Sequence, residues 1–221
     1  MIIVIGIVFF ALAAAVRWWM MKTYRQWGQV PNKLGANGQA VARHILDSNG
    51  LHHVQLEVSK GQLTDHYMPS KKLIRLSENI NNDASVASVA VAAHEVGHAI
   101  QDAQGYGPMK FKAVLMPVAA AGHQLGLLLV LGAGFFGGGL VLDVGMLLLG
   151  SSILAQLITL PIEFDASKRA LAELERLNLV DQADYAGAKK MLTAAAMTYV
   201  ASAAGSFALA AVFLSNIFRR R

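Results

Sequence analysis

A chain of 221 residues has room for one domain of ordinary size, yet 55% hydrophobic residues and a mean hydropathy of +0.44 are too apolar for a water-soluble globule. The formal charge of +5 does not indicate nucleic acid, because basic residues are not interleaved with aromatic ones and no base-reading motif occurs. Cysteine is absent, which excludes disulfides, a thiol nucleophile and thiolate zinc sites, so any metal must be held by His, Asp or Glu.

Residues Ile2 to Val16 form an unbroken apolar run that ends in Arg17, Trp18, Trp19 and Lys22. That order predicts a helix leaving the bilayer through an aromatic and basic interface. No positive charge precedes the run and no small-residue cleavage site follows it, so residues 1–21 are expected to be an uncleaved anchor rather than a signal peptide.

From Lys22 to Lys112 the composition turns water-facing, with turn signals at Pro31-Asn32, Asn49-Gly50, Lys60-Gly61 and Asn81-Asn82. Residues 22–112 are expected to fold as αββα. Asn37 caps a helix carrying Val41, Ile45 and Leu46, Val54 to Val58 alternates as a strand, and Lys72 to Leu76 is a second strand. Asp83 or Ser85 then opens an Ala/Val-rich helix through about Gln101, closed by Gly105.

Residues 113–160 contain two long apolar segments, Ala113 to Ala133 and Leu140 to Leu160, joined by the glycine-rich stretch Gly134 to Gly139. They predict a transmembrane hairpin. Residues 161–192 regain charge and are expected to open a new helix, and residues 193–221 form a last apolar segment with a basic tail. Its small residues, Ala201 and Gly205 among them, suit close helix contact. The expected fold class is a mainly α membrane protein, with about four transmembrane helices and a small α+β domain.

Positive charges gather beside both polar segments: Arg17, Lys22, Arg25, Lys110 and Lys112 on the first, Lys168, Arg169, Arg176, Lys189 and Lys190 on the second. The glycine-rich turn has none, which places both polar segments in the cytoplasm and the N-terminus outside. Arg219, Arg220 and Arg221 are the exception, since four full spans put them outside too.

The chemistry centres on Val91-Ala92-Ala93-His94-Glu95-Val96-Gly97-His98-Ala99, an H-E-x-x-H motif on a segment predicted helical for independent reasons. At 3.6 residues per turn, His94 and His98 share one face, where two imidazoles reach one Zn²⁺, and Glu95 lies beside that face as general base. The competing explanation is a chance match. It is disfavoured by the small or apolar Val91, Ala93, Val96 and Ala99, which suit a buried metal helix.

A peptidase zinc site needs a third protein ligand and one open position. No metzincin histidine follows, because Gln101, Asp102 and Gln104 occupy that stretch. The next carboxylates are Glu163 and Asp165, and two membrane crossings return the chain to the side of His94 and His98. The plain alternative for Glu163 is an acidic residue favoured at a helix N-terminus.

These residues resemble the bacterial membrane-bound neutral zinc metallopeptidases of the YugP type, more distantly similar to HtpX-like and CAAX prenyl proteases. The resemblance runs through the N-terminal anchor, Leu63 to Tyr67, Lys72 to Ser77, Ala92 to Gln101 and Glu163 to Leu171. It implies that the small α+β domain is a zincin-like metallopeptidase domain of gluzincin type, with His94, His98 and Glu163 as ligands of one Zn²⁺ and Glu95 as the catalytic residue. The distant relatives carry E-x-x-x-D at the third-ligand helix, whereas Ser167 stands here at the Asp position, with Asp165 a substitute partner behind the ligands.

His66 and Tyr67 offer hydrogen-bond donors to a developing oxyanion, against the plainer role of structural loop residues. His44, His52 and His53 are expected on the surface. His123 and Asp143 fall within apolar spans, where an ionisable group draws attention, and are left outside the site. The strand Lys72 to Leu76, if it is an exposed edge, pairs with an extended substrate backbone. The expected activity is an endopeptidase in a bacterial inner membrane, acting from the cytoplasmic side on protein or peptide substrates, with lipid but no nucleic acid as a partner. Its rivals are a non-catalytic zinc-binding scaffold and a zinc-handling membrane protein.

Overall fold

The computed structural model describes residues 2–133 and 138–218. The turn residues Gly134 to Gly137, the tail Arg219 to Arg221 and the side chain of His123 lie outside the described residues. The chain is mainly helical: α1 (Ile2–Gly28), α2 (Gly38–Ser48), α3 (Glu78–Asn82), α4 (Val86–Ala103), α5 (Gly107–Gly132), α6 (Leu140–Arg176) and α7 (Gln182–Phe218), with strands β1 (Gln55–Ser59), β2 (His66–Met68) and β3 (Leu73–Ser77). Two compact units divide it. One takes in α1 up to Val16, Gly107–Pro161 and α7 from Thr198; the other comprises Arg17–Tyr106 and Ile162–Met197.

In the second unit the predicted α2 starts where expected, with the Asn37 side chain accepting from Ala40 N at 2.9 Å. A Cβ on Gly38 would fall 2.1 Å from the Ile80 carbonyl oxygen, so only glycine lets α2 begin so close to α3. The expected αββα order is incomplete, because the short β2 and α3 also form. The sheet runs β1-β3-β2, with β1 parallel to β3 and β2 antiparallel to it. β3 is therefore the central strand. Leu73, Ile74, Leu76 and Ser77 are all buried, and Ile74 and Leu76 join Ile45, Leu46 and Ile80 in the core. The expectation of β3 as an open edge is corrected: both its neighbours are paired, and the free edges belong to β1 and β2.

Of the two proposed caps, Ser85 opens α4, its hydroxyl accepting from Ser88 N. Gly105, at φ +66°, closes it, and Tyr106 N returns to the Gln101 carbonyl at 2.9 Å.

In the first unit, α5 and α6 pack as an antiparallel hairpin through glycines. A Cβ on Gly122 would sit 2.4 Å from the Leu148 carbonyl, and one on Gly126 would sit 2.9 Å from that of Gly145. Among the described residues, three helices are long and apolar enough to cross a membrane, within Gly6–Gly28, Leu140–Arg176 and Gln182–Ala208. α5 makes a fourth only if its halves, Gly107–Gly122 and Gln124–Gly132, bent by 40°, count as one span. The helices also overrun their predicted ends. α1 continues to Gly28, and α6 passes through Pro161 where a new helix was expected to open. Proline removes one backbone donor, but thirteen or more helical residues on each side of Pro161 carry the helix past that gap.

Candidate metal centre

Among the described residues, one cluster can hold a metal ion: His94, His98 and Glu163, whose ligand atoms all lie within 4.8 Å of one another. The histidines come from successive turns of α4, their rings edge-on at 4.7 Å between centroids. Glu163 comes from α6, and its Oε2 lies 3.2 Å from His94 Nε2 and 3.6 Å from His98 Nε2. The helices meet so closely because position 97 is glycine. A Cβ there would fall 2.5 Å from the Ala166 carbonyl oxygen, a backbone atom that cannot turn aside.

Both imidazoles aim Nε2 at Glu163 because Nδ1 is engaged elsewhere. His94 Nδ1 meets the Ser167 hydroxyl at 3.2 Å, and His98 Nδ1 donates to Gln101 Oε1 at 3.0 Å. Gln101 is itself fully buried; its Nε2 donates to the Ile162 carbonyl and to Asp165 Oδ2, both at 2.8 Å. Ser167 thus stands beside His94, and Asp165 is joined to His98 by way of the Gln101 amide. Gln101 had no sequence signal beyond its spacing of three from His98, which puts it on the same helix face.

Glu95 is buried beside the ligands. Burial pushes its carboxyl above the usual carboxylate range; the imidazoles of His94 and His98 oppose this, and the charges of Asp65 and Glu163 add to it. For His98, burial works against the charged form, but the hydrogen bond and charge of Glu163, with Glu95 and Gln101, carry its pKa upward overall. Two imidazole Nε2 atoms gathered around one carboxylate form a donor set of the kind that fits Zn²⁺ in sites with three protein ligands and one open position.

The other sequence candidates have separate partners. The Tyr67 hydroxyl donates to Asp102 Oδ2 at 2.7 Å, and Lys72 Nζ reaches the same oxygen at 2.6 Å, tying β2 and the β3 turn to α4. Burial, then the bond to Asp102, raises the Tyr67 phenol. His66 is exposed, its Nδ1 donating to the Thr64 carbonyl at 2.7 Å. His52 pairs with Asp47 on the surface at 2.9 Å.

A family model described as "Putative neutral zinc metallopeptidase" matches residues 1–217. The chain belongs to this family. Within the neutral zinc metallopeptidases it is similar to the "Putative membrane protease YugP" of Bacillus subtilis (strain 168), 38% identical over 180 residues, covering 81% of this chain and 80% of that protein. No solved structure matches. The three clustered residues of this family member that could hold a metal are drawn from two parts of the chain, 69 positions apart between His94 and Glu163.

Proposed function

We propose that this family member is a membrane-embedded, zinc-dependent endopeptidase that hydrolyses peptide bonds of membrane or membrane-proximal proteins on the cytoplasmic face. The observation that carries this reading is the His94, His98 and Glu163 cluster with a buried Glu95 at its side. His94, His98 and Glu163 hold the ion. A bound Zn²⁺ supplies Lewis acidity, bringing the pKa of water from 15.7 to about 7 and polarising a carbonyl.

Glu95 takes the proton from the attacking water at a carboxylate oxygen and passes it to the leaving amine. Its burial upholds this role, because a carboxylate whose pKa is raised above the ordinary range is a stronger base toward the proton of the attacking water than a solvated one. Substrate docking falls to the free edge of β2, whose Tyr67 is anchored on α4; an added strand there is held by backbone hydrogen bonds and makes little demand on sequence. The scaffold and zinc-handling alternatives leave Glu95 without a task, since neither needs a base beside the metal.

The test is zinc content and cleavage of an unstructured protein by purified wild type and Glu95→Gln. The variant is expected to keep its zinc and fold and to lose at least about 100-fold in turnover, in line with general-base losses. Near-normal cleavage by Glu95→Gln sinks this mechanism.

A further inference from the structure

We propose that Gln101 is a positioning residue for the metal centre: its side-chain amide, oriented by Asp165, sets the His98 tautomer that leaves Nε2 open to a divalent cation. The inference rests on His98 being a ligand of the proposed peptidase. A neutral imidazole carries one hydrogen, and it binds metal only through the other nitrogen. A glutamine beside it can present either its oxygen or its NH₂. An NH₂ facing Nδ1 would move the hydrogen to Nε2 and block the ligand atom.

The choice is made on the far side of the amide. Gln101 Nε2 lies 2.8 Å from both the Ile162 carbonyl and Asp165 Oδ2, two acceptors that reject an amide oxygen. Gln101 Oε1 is therefore turned to His98 Nδ1, which must donate. Asp165 is held in place by Arg169, which also donates to Gln104 Oε1 and lies 5.8 Å from the centre of the Tyr106 ring. Gln101 itself is fully buried, so its amide turns to these protein partners rather than to solvent. The same bonds span α4 and α6, so they set the separation of the ligand helices as well as the tautomer. His94 has no such device, because the Ser167 hydroxyl can donate or accept.

The experiment uses the full chain purified in detergent. Zinc affinity is read by competition with a chromophoric chelator, and the His98 tautomer by imidazole ¹⁵N shifts of the metal-free protein at a pH high enough for the ring to be neutral. Gln101→Met keeps length but has no acceptor; it is expected to bind zinc about 10–100-fold more weakly, with the Nδ1-protonated form of His98 no longer dominant. Gln101→Glu is expected to lose affinity on the same scale, because its carboxylate faces that of Asp165. Combining it with Asp165→Asn, which supplies a donor in place of the repelling charge, is expected to recover at least about tenfold of that loss. This rescue keeps the test alive if Gln101→Met fails to fold, and a mere packing role does not produce it. Zinc affinity of Gln101→Met within about twofold of wild type, or a double variant no tighter than Gln101→Glu, overturns the proposal. A wild-type chain that holds no zinc overturns this proposal and the peptidase reading together.

Discussion

Glu95, His94 and His98 are legible in the sequence because their relation is local, set by the helix period alone. Ser167 and Gln101 are not, since what they touch depends on where α6 meets α4. Asp65 is a further residue that only the structure picks out. It accepts from both the backbone N and the hydroxyl of Ser77, and its charge is felt at Glu95. Burial raises its carboxyl above the ordinary range, and the Ser77 bonds and His66 offset this only in part. A raised carboxyl binds its proton more tightly folded than unfolded, so its stabilising contribution is complete in acid and is lost as pH rises through the folded value. The stability of wild type relative to Asp65→Asn is therefore expected to fall as pH rises above the ordinary carboxylate range, measured by denaturant midpoints. Parallel pH curves for the two proteins contradict the assignment.

The pairing of α4 with α6 governs the site at the next level up. The capped Ala/Val-rich segment placed α4 near the right residues, α6 was expected as two separate pieces, and the predicted strands lie within a residue of β1 and β3. Strand order was not legible, because β2 has three residues and no alternation to announce it; without β2, β3 looks like an edge. Nor was the continuity of α6, since a proline after an apolar run reads as a new start. Gly97 shows what the helix contact demands. On propensity alone Gly97→Ala would favour α4 by about 1 kcal/mol. Against the Ala166 backbone the added methyl must instead push α6 away, and the expected outcome is a net loss of about 1–3 kcal/mol, as in overpacked cores. Zinc affinity is expected to fall with it, read by chelator competition. A variant that is stabilised and keeps its zinc shows that the helices do not need this approach.

For the molecule as a whole, the site exists only if the chain leaves the polar side after α4 and comes back to it before Glu163. The glycine contacts of α5 with α6 bring the chain back along itself as an antiparallel hairpin. The positive charges beside the two polar segments are the sequence reason to expect both on the cytoplasmic side. Reporters inserted near Gly61 and near Asp181 are both expected to report cytoplasm; opposite sides would mean that the hairpin does not cross twice. Glu163 was legible in the sequence through this return and through the family resemblance, not through any local motif. Its metal binding is the most direct test of the account. Zinc stoichiometry and affinity are to be measured for wild type, Glu163→Gln and, as a control on the exposed face of the same helix, Glu175→Gln. Wild type and Glu175→Gln are expected to hold one zinc ion per chain, and Glu163→Gln to bind it at least about 10–100-fold more weakly, the loss typical of even indirect supports of a ligand. A Glu163→Gln protein that holds zinc as tightly as wild type contradicts the centre described here.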